Sequence, residues 1–197
     1  MKTSLSLTLG ILSVAALAAC STQRIATVST PAAVIVPATS TTTVMGATAV
    51  PFNAADTHFI AVAAGAGMYE VEAARMALTR AGNPQVRSFA QMLLDQHTAA
   101  NRELMAMVGG KGHKVAPGMP PELQAKLDTL KGTSAANFDH EFIRTTGVAD
   151  HMATIAEFEK SRSSVGDRDL RAFIDKTLPV LRTHLQQAQD LAGRMAG

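Results

Sequence analysis

Apolar residues recur at steps of three and four along four stretches of the chain, which is the period of one face of an α-helix. The clearest stretch covers residues 83–108. Its apolar positions are Val86, Phe89, Ala90, Leu93, Ala100 and Leu104. His97 lies in the middle of this stripe, where a leucine would pack. The pattern predicts an amphipathic helix that carries one imidazole on its apolar face.

The helix boundaries indicate how four such helices are connected. The first is expected over residues 56–81 and the second from Pro84, because glycine ends helices and proline is favoured in their first turn. The third and fourth are expected over residues 138–164 and 168–194, with Asp167 as the N-cap of the fourth. Both turns are short, so the helices of each pair must be antiparallel.

A longer crossing, residues 109–137, separates the two pairs. Within it, the two prolines at residues 120–121 open a short amphipathic helix. Its apolar positions are Leu123, Leu127 and Leu130. Two hairpins joined by one long connection are typical of ferritin-like bundles. We therefore predict an all-α, ferritin-like four-helix bundle: two antiparallel helical hairpins joined by a long crossover that contains a short helix.

An internal repeat supports this division into two hairpins. The sequence DTHFI at residues 56–60 recurs as DHEFI at residues 139–143, and VRSF at residues 86–89 recurs as LRAF at residues 170–173. The phenylalanines of the two motifs are 30 residues apart in the first copy and 31 in the second. Each half of the domain is therefore predicted to be the same supersecondary unit, built twice.

The N-terminal residues are typical of an export signal. Lys2 precedes an apolar run over residues 5–19, which is shorter than the roughly 20 apolar residues of a membrane-spanning helix. The sequence LAAC at residues 17–20 resembles the lipobox of bacterial lipoproteins, which implies cleavage before Cys20 and attachment of lipid to it. An ordinary secretory signal with an incidental cysteine is the alternative. Cys20 is the only cysteine, so we expect no disulfide and no thiol catalysis.

The segment after the cysteine is expected to be a tether. Ser, Thr, Ala, Val and Pro dominate it, and Arg24 is its only charged residue. We predict a signal peptide over residues 1–19, a lipidated cysteine and disordered tether over residues 20–55, and the bundle over residues 56–197. Resemblance to lipoprotein sorting rules implies that aspartate after the cysteine favours the inner membrane. Ser21 therefore predicts an outer-membrane anchor with the domain on the periplasmic side.

The charge of the chain gives no sign of a nucleic-acid partner. The full sequence has 18 basic and 16 acidic residues, and loss of Lys2 with the signal leaves 17 against 16, a formal charge of +1. No basic run or interleaved aromatic patch is present. The expected partner is the membrane, through Cys20, and the sequence specifies neither a protein partner nor an oligomeric state.

Four segments of the predicted domain carry a family resemblance. In chain order they read SFAQMLLDQHTAANREL, NFDHEFI, DHMATIAEFEK and LPVLRTHLQQAQDL. They resemble the DUF4142 family, a group of exported bacterial proteins regarded as ferritin-like, over roughly residues 56–191. The resemblance implies a fold and a place in the cell envelope, and it brings no activity with it.

Four ionisable residues, one on each long helix, are predicted to meet inside the bundle. Glu70, His97 and His151 lie within about two residues of their helix midpoints. His184 lies about three residues beyond its own, so at about 1.5 Å per residue all four fall within one turn of a common level. Three imidazoles and one carboxylate can bind a single first-row transition metal such as Fe, Mn, Cu or Zn. These four residues form the metal site predicted from the sequence.

The same residues also allow a structural interpretation. Buried histidines are more often hydrogen-bonded than metal-bound, and Glu70 could satisfy one or two of them. The Glu-x-x-His pairs of di-iron ferritin-like sites are missing, because Leu94, Val148 and Leu181 precede the histidines by three. Two functions stay open. The favoured one is a lipid-anchored, non-catalytic envelope protein that acts by interaction or stress protection, and the alternative is a mononuclear metal protein for storage, sensing or redox chemistry.

Overall fold

The computed structural model describes residues 51–196. The predicted signal peptide, Cys20 and the tether up to residue 50 lie outside the described residues and stay predictions. Within residues 51–196, no helix is both long enough and apolar enough to cross a membrane.

The described part of the chain is made of helices. They are α1 (Ala54–Arg80), α2 (Pro84–Gly110), α3 (Pro121–Gly132), α4 (Ala135–Phe142), a π-helical segment (Ile143–Asp150), α5 (His151–Ser164) and α6 (Arg168–Met195). The backbone stays helical through both ends of the π-helical segment, so residues 135–164 form one long helix, called here the third long helix. The predicted bounds of the four long helices agree with these to within three residues.

The four long helices close into a ring. α1 packs against α2 and α5 against α6, while α2 contacts α6 and α1 contacts α5. The crossover helix α3 lies on α1, where the Arg80 guanidinium donates hydrogen bonds to the carbonyls of Leu130 and Lys131 at 3.3 and 2.7 Å. The predicted four-helix bundle with a helical crossover is confirmed.

Two apolar clusters fill the bundle at different heights. One contains Phe89, Leu93, Phe138 and Phe142 among others. The other contains Phe59, Leu104, Phe158 and Phe173 among others. On α2, Leu93 belongs to the first cluster and Leu104 to the second, and His97 lies between them. On each of the other long helices the ionisable residue also lies between residues of the two clusters. The predicted ionisable residues therefore form a polar layer between two apolar cores.

Two aspartates at equivalent places in the repeat hold opposite turns of the bundle. Asp139 accepts hydrogen bonds from the backbone N–H groups of residues 82 and 83 at 3.1 and 2.7 Å, in the turn between α1 and α2. Asp56 accepts hydrogen bonds from those of residues 166 and 167 at 2.8 and 3.1 Å, in the turn between α5 and α6. Each hairpin therefore fixes the turn of the other.

The π-helical segment Ile143–Asp150 departs from the sequence prediction, which is a regular third helix. Gly147 lies within this segment and lets it approach α6 closely. A Cβ atom at that position would lie 2.9 Å from the Cβ of Ala188 and 3.5 Å from a ring carbon of Phe89. The wide turns therefore lie against α2 and α6, at the level of the polar layer.

Replacement of Asp139 by alanine should destabilise the fold by about 1–3 kcal/mol, because two hydrogen bonds from the α1–α2 turn to a charged acceptor are lost. Asp128→Ala, on the exposed surface of α3, should change the free energy of unfolding by no more than about 0.5 kcal/mol. Urea unfolding of both variants measures this. Equal losses of unfolding free energy in the two variants would show that the hydrogen bonds from the turn to Asp139 do not stabilise the fold.

Two glycine-to-alanine variants should have opposite effects on stability. Gly147→Ala should lower the free energy of unfolding by about 1–3 kcal/mol, because the added methyl group overpacks the contact with Ala188. Gly193→Ala, in α6 with open space around it, should raise stability by up to about 1 kcal/mol. Thermal unfolding of the pair measures the difference. A stabilised Gly147→Ala variant would contradict the close packing of the π-helical segment.

Candidate metal centre

The three histidines that the sequence singles out converge inside the bundle. One ring nitrogen of each of His97, His151 and His184 lies within 4.8 Å of the other two. Their ring centroids are 5.2–5.6 Å apart, and all three residues are buried. On the third long helix His151 takes the inward position, while the neighbouring Met152 is 54% exposed. Three helices therefore bring imidazoles to one point.

Glu70 lies behind two of these imidazoles. Its Oε2 atom is 3.0 Å from Nδ1 of His97, and its Oε1 atom is 3.6 Å from Nδ1 of His151. The group of converging ligand atoms contains the three histidines and not Glu70. The role of Glu70 as a direct ligand stays a prediction, and the contact that the structure shows is a hydrogen bond that Glu70 accepts from His97.

The hydrogen bonds of His97 and His151 fix which ring nitrogen carries the proton. The Nδ1–H of His97 donates to Glu70, and the buried Nε2 atom of His97 has no hydrogen-bond partner. The Nδ1 atom of His151 lies 2.8 Å from the carbonyl oxygen of Thr146. A carbonyl only accepts, so Nδ1 of His151 must donate, and in the neutral ring its Nε2 then presents a lone pair.

His184 completes the arrangement from α6. Its Nε2 atom lies 2.9 Å from Oε1 of Gln96, and its Nδ1 atom lies 3.2 Å from Nε2 of His151. With Nε2–H donating to the amide oxygen, Nδ1 of His184 presents a lone pair to His151. Only a half-turn of the Gln96 amide would let His184 donate to His151 instead. As the amide stands, and with all three rings neutral, three nitrogen lone pairs face one another without a donor, which suits a cation. A protonated His151 would instead donate from Nε2 to Nδ1 of His184.

Two of the groups that orient these rings cannot be recognised from the sequence. Gln96 is an exposed residue beside His97, and nothing in its spacing marks it as a partner of His184. Thr146 acts through its backbone carbonyl, which any residue would supply. Its one sequence signal is the repeat spacing of 31 instead of 30, because the extra residue makes the wide turns in which Thr146 lies.

The electrostatics of the layer keep Glu70 charged and His184 neutral. Burial alone would raise the pKa of Glu70, but the neighbouring His97 and His151, with the hydrogen bond from His97, lower that pKa to about 2. Burial, together with the positive charge that His97 and His151 carry when protonated, lowers the pKa of His184 to about 3. The charge of Glu70 opposes this shift only in part. At neutral pH the centre therefore combines one carboxylate with a neutral imidazole on α6.

Two spaces adjoin the cluster. A cavity of about 20 Å³ is lined by Glu70 and His97, by apolar residues of the second core cluster, and by the polar side chains of Asn101, Thr154 and Thr177. A surface groove of about 540 Å³ runs between α1, α3 and the third long helix, and Glu70 also lines it. The cavity has room for about one water molecule, so nothing larger fits beside His97.

The comparisons with known proteins give the family. The family model described as a domain of unknown function, DUF4142, matches residues 41–191. The chain belongs to the DUF4142 family. The resemblance derived from the sequence is therefore confirmed. No curated protein matches this DUF4142 chain in sequence.

Solved structures share its fold. A DUF305 fragment from Deinococcus radiodurans is similar with a TM-score of 0.65 and 16% identity, over 74% of this chain and 99% of that one. The protein CopM in a Cu(II)-bound form gives a TM-score of 0.58 and 17% identity, over 70% and 96% of the two chains. CopM in a Cu(I)-bound form gives 0.61 and 18%, over 72% and 97%. At these identities the likeness of the DUF4142 chain to its neighbours shows the fold alone.

Acid should destabilise the metal-free protein. The pKa of His184 is about 3 in the folded protein, against an ordinary value of 6.5. Between these two pH values the unfolded chain binds more protons than the folded one, so the free energy of unfolding decreases as the pH is lowered. The Glu70 pKa of about 2, against an ordinary 4.5, adds a further loss at lower pH. Urea unfolding at about pH 7.5 and about pH 5 should show the loss from His184, and a His184→Leu variant should show less of it. Equal stability of the unmodified protein at both pH values would contradict these shifts.

Proposed function

We propose that this protein holds a single transition-metal ion between His97, His151 and His184, within a helical bundle of the cell envelope. The observation that carries the proposal is the buried Nε2 atom of His97, which has no hydrogen-bond partner. Protonated, it would be a buried donor without an acceptor. Neutral, it is an unpartnered lone pair on one of three imidazoles whose ligand atoms lie within 4.8 Å of one another. A metal ion would satisfy all three at once.

The spacing of two of the three nitrogens fits a metal, and a bound ion would draw in the third, since the three lie within 4.8 Å of one another. Two nitrogens that each lie about 2.0–2.1 Å from one ion at a tetrahedral angle are about 3.3 Å apart. Nε2 of His151 and Nδ1 of His184 are 3.2 Å apart. Imidazole ligands suit copper, zinc, iron and nickel. Copper is the first ion to test, because CopM, which shares the fold, has structures in Cu(II)-bound and Cu(I)-bound forms.

The groups behind the rings support this function. In each proposed ligand, the ring nitrogen that does not face the ion donates a hydrogen bond to an acceptor. The acceptors are Glu70 for His97, the Thr146 carbonyl for His151 and Gln96 for His184. Such partners fix the ring orientation and raise the basicity of the coordinating nitrogen. The charge of Glu70 would also offset part of the charge of a bound ion.

We propose storage or sensing of the ion as its role. A bound copper or iron ion would supply redox chemistry, whereas zinc would not. The three histidines are buried, and the adjoining cavity of about 20 Å³ excludes any substrate larger than about one water molecule. Holding an ion therefore fits this centre better than turnover of an organic substrate.

We also propose that Cys20 anchors the domain by lipid to the outer membrane, on its periplasmic side. The LAAC sequence at residues 17–20 and Ser21 after it support this assignment. A Cys20→Ala variant expressed in bacteria should lose acylation and leave the membrane fraction or accumulate unprocessed. Unchanged recovery with membranes after high-salt washing would contradict the anchor.

Copper added to protein purified without a histidine tag should raise its melting temperature, and a His184→Leu variant should lose that rise. We choose His184 because its loss leaves the Glu70–His97 contact intact. It frees Gln96, which is exposed, and removes the contact with Nε2 of His151. Loss of one of three ligands should weaken binding roughly tenfold or more. Calorimetric titration measures the affinity and the stoichiometry, which should be one ion per chain.

His140→Leu is the matched control, because His140 is exposed on α4 and lies outside the cluster. It should keep the affinity and the rise in melting temperature of the unmodified protein. If the unmodified protein binds no transition metal tightly, the layer is a structural hydrogen-bond network. The protein would then belong to the non-catalytic interaction or stress-protection class.

A further inference from the structure

The groove between α1, α3 and the third long helix reaches the polar layer from solvent. Its walls are mostly apolar, with Val62, Ala66 and Leu123 among them. Its polar lining includes two neighbouring residues of α1, Tyr69 and Glu70, and Asp150 at the end of the π-helical segment. A groove of about 540 Å³ is wide enough for a hydrated ion.

The groove and the inner cavity meet at shared residues. Ala66, Glu70 and Thr154 line both spaces. One oxygen of Glu70 contacts His97, and the other, Oε1, is buried without a hydrogen-bond partner. Glu70 therefore stands between the groove and the histidines, with one oxygen not committed to any donor.

Asp150 offers a second uncommitted oxygen in the same groove. Asp150 is 9% exposed, and its Oδ2 atom is buried without a hydrogen-bond partner. Its Oδ1 atom forms an ion pair with Lys126, whose side chain is 47% exposed. Burial raises the pKa of Tyr69, and Asp150 raises it further through its charge and a hydrogen bond with the phenol, while the hydrogen bond with Thr146 lowers it.

Two buried carboxylate oxygens without donors are costly unless a cation visits them. Lys126 pairs with Oδ1 of Asp150 and leaves Oδ2 without a donor. Its ammonium also lies 5.5 Å from the centre of the Tyr69 ring, and its side chain is half exposed, so a cation can displace it toward solvent. Asp150 directly precedes His151 in the chain. A cation held at Asp150 is therefore already beside the helix turn that carries a proposed ligand.

We propose that metal ions reach the three histidines through this groove, with Asp150 as the first docking ligand and Glu70 as the next. The ligand of this outer site is a transition-metal cation, which takes the place of the Lys126 ammonium at Asp150. This route rests on the proposed function of the histidine cluster, but it makes a separate claim: Asp150 and Lys126 set the rate of loading, and the histidines set the affinity.

Tyr69 supplies a local reporter for the test. It is the only tyrosine, the chain has no tryptophan, and it lines the groove. Stopped-flow mixing of metal-free, untagged protein with Cu(II) follows quenching of its fluorescence, and calorimetric titration gives the final affinity. Asp150→Asn removes the docking charge, Lys126→Met removes the competing cation, and Asp190→Asn is the matched control on an exposed position of α6 outside the groove.

Asp150→Asn should slow loading about tenfold, because a charge that steers a cation into a cleft raises on-rates by about 10-fold or more. Its final affinity should stay within about threefold of the unmodified protein. Lys126→Met should load several times faster, and Asp190→Asn should load at the unmodified rate. All loading rates are measured at low salt, where the electrostatic attraction of a single charge is least screened.

The outcomes separate the route from the metal site. If the unmodified protein binds copper but Asp150→Asn and Lys126→Met load at its rate, the groove proposal is wrong and the histidine site stands. If the unmodified protein binds no copper, the proposed function fails first, and the route with it. Should Asp150→Asn not fold, Lys126→Met decides alone, since an unchanged rate in that exposed variant overturns the proposal.

Discussion

Asp56 and Asp139 each accept hydrogen bonds from the turn of the opposite hairpin. These bonds fix the distance that α1 and the third long helix must each span between the two ends of the bundle. From the repeat phenylalanine to the turn glycine the chain has 23 residues in the first hairpin and 24 in the second. From that glycine to the next repeat phenylalanine it has seven in both. The surplus residue must therefore be absorbed within the third long helix, and it is absorbed as the wide turns of Ile143–Asp150.

Those wide turns shape the polar layer. They end where Asp150 and His151 both turn inward, and they place the Thr146 carbonyl 2.8 Å from the ring of His151, five residues on. In a regular α-helix a carbonyl meets the backbone N–H four residues on. A single added residue in one copy of a repeat thus gives the second hairpin a feature that the first lacks. The layer is asymmetric although the scaffold is a two-fold repeat.

Much of this could be predicted from the sequence, because helix period, caps and short turns are local signals. The apolar period of α2 places His97 inward, and the capping residue Asp167 begins α6 as expected. The convergence of the histidines follows from equal heights on neighbouring helices. The orienting groups do not follow, because Gln96 and the Thr146 carbonyl carry no residue pattern that depends on their role. That Glu70 lies behind the rings follows only from the distances between atoms in the structure, because its sequence position shows no more than its height on α1.

The central claim is that three lone pairs converge on one ion, and diffraction from copper-soaked crystals at the copper absorption edge tests it most directly. The account predicts one strong anomalous peak enclosed by His97, His151 and His184, about 2.0–2.1 Å from one nitrogen of each ring. An anomalous peak confined to exposed residues would contradict it. So would density in which His184 donates a hydrogen bond to His151 and no copper lies between the rings.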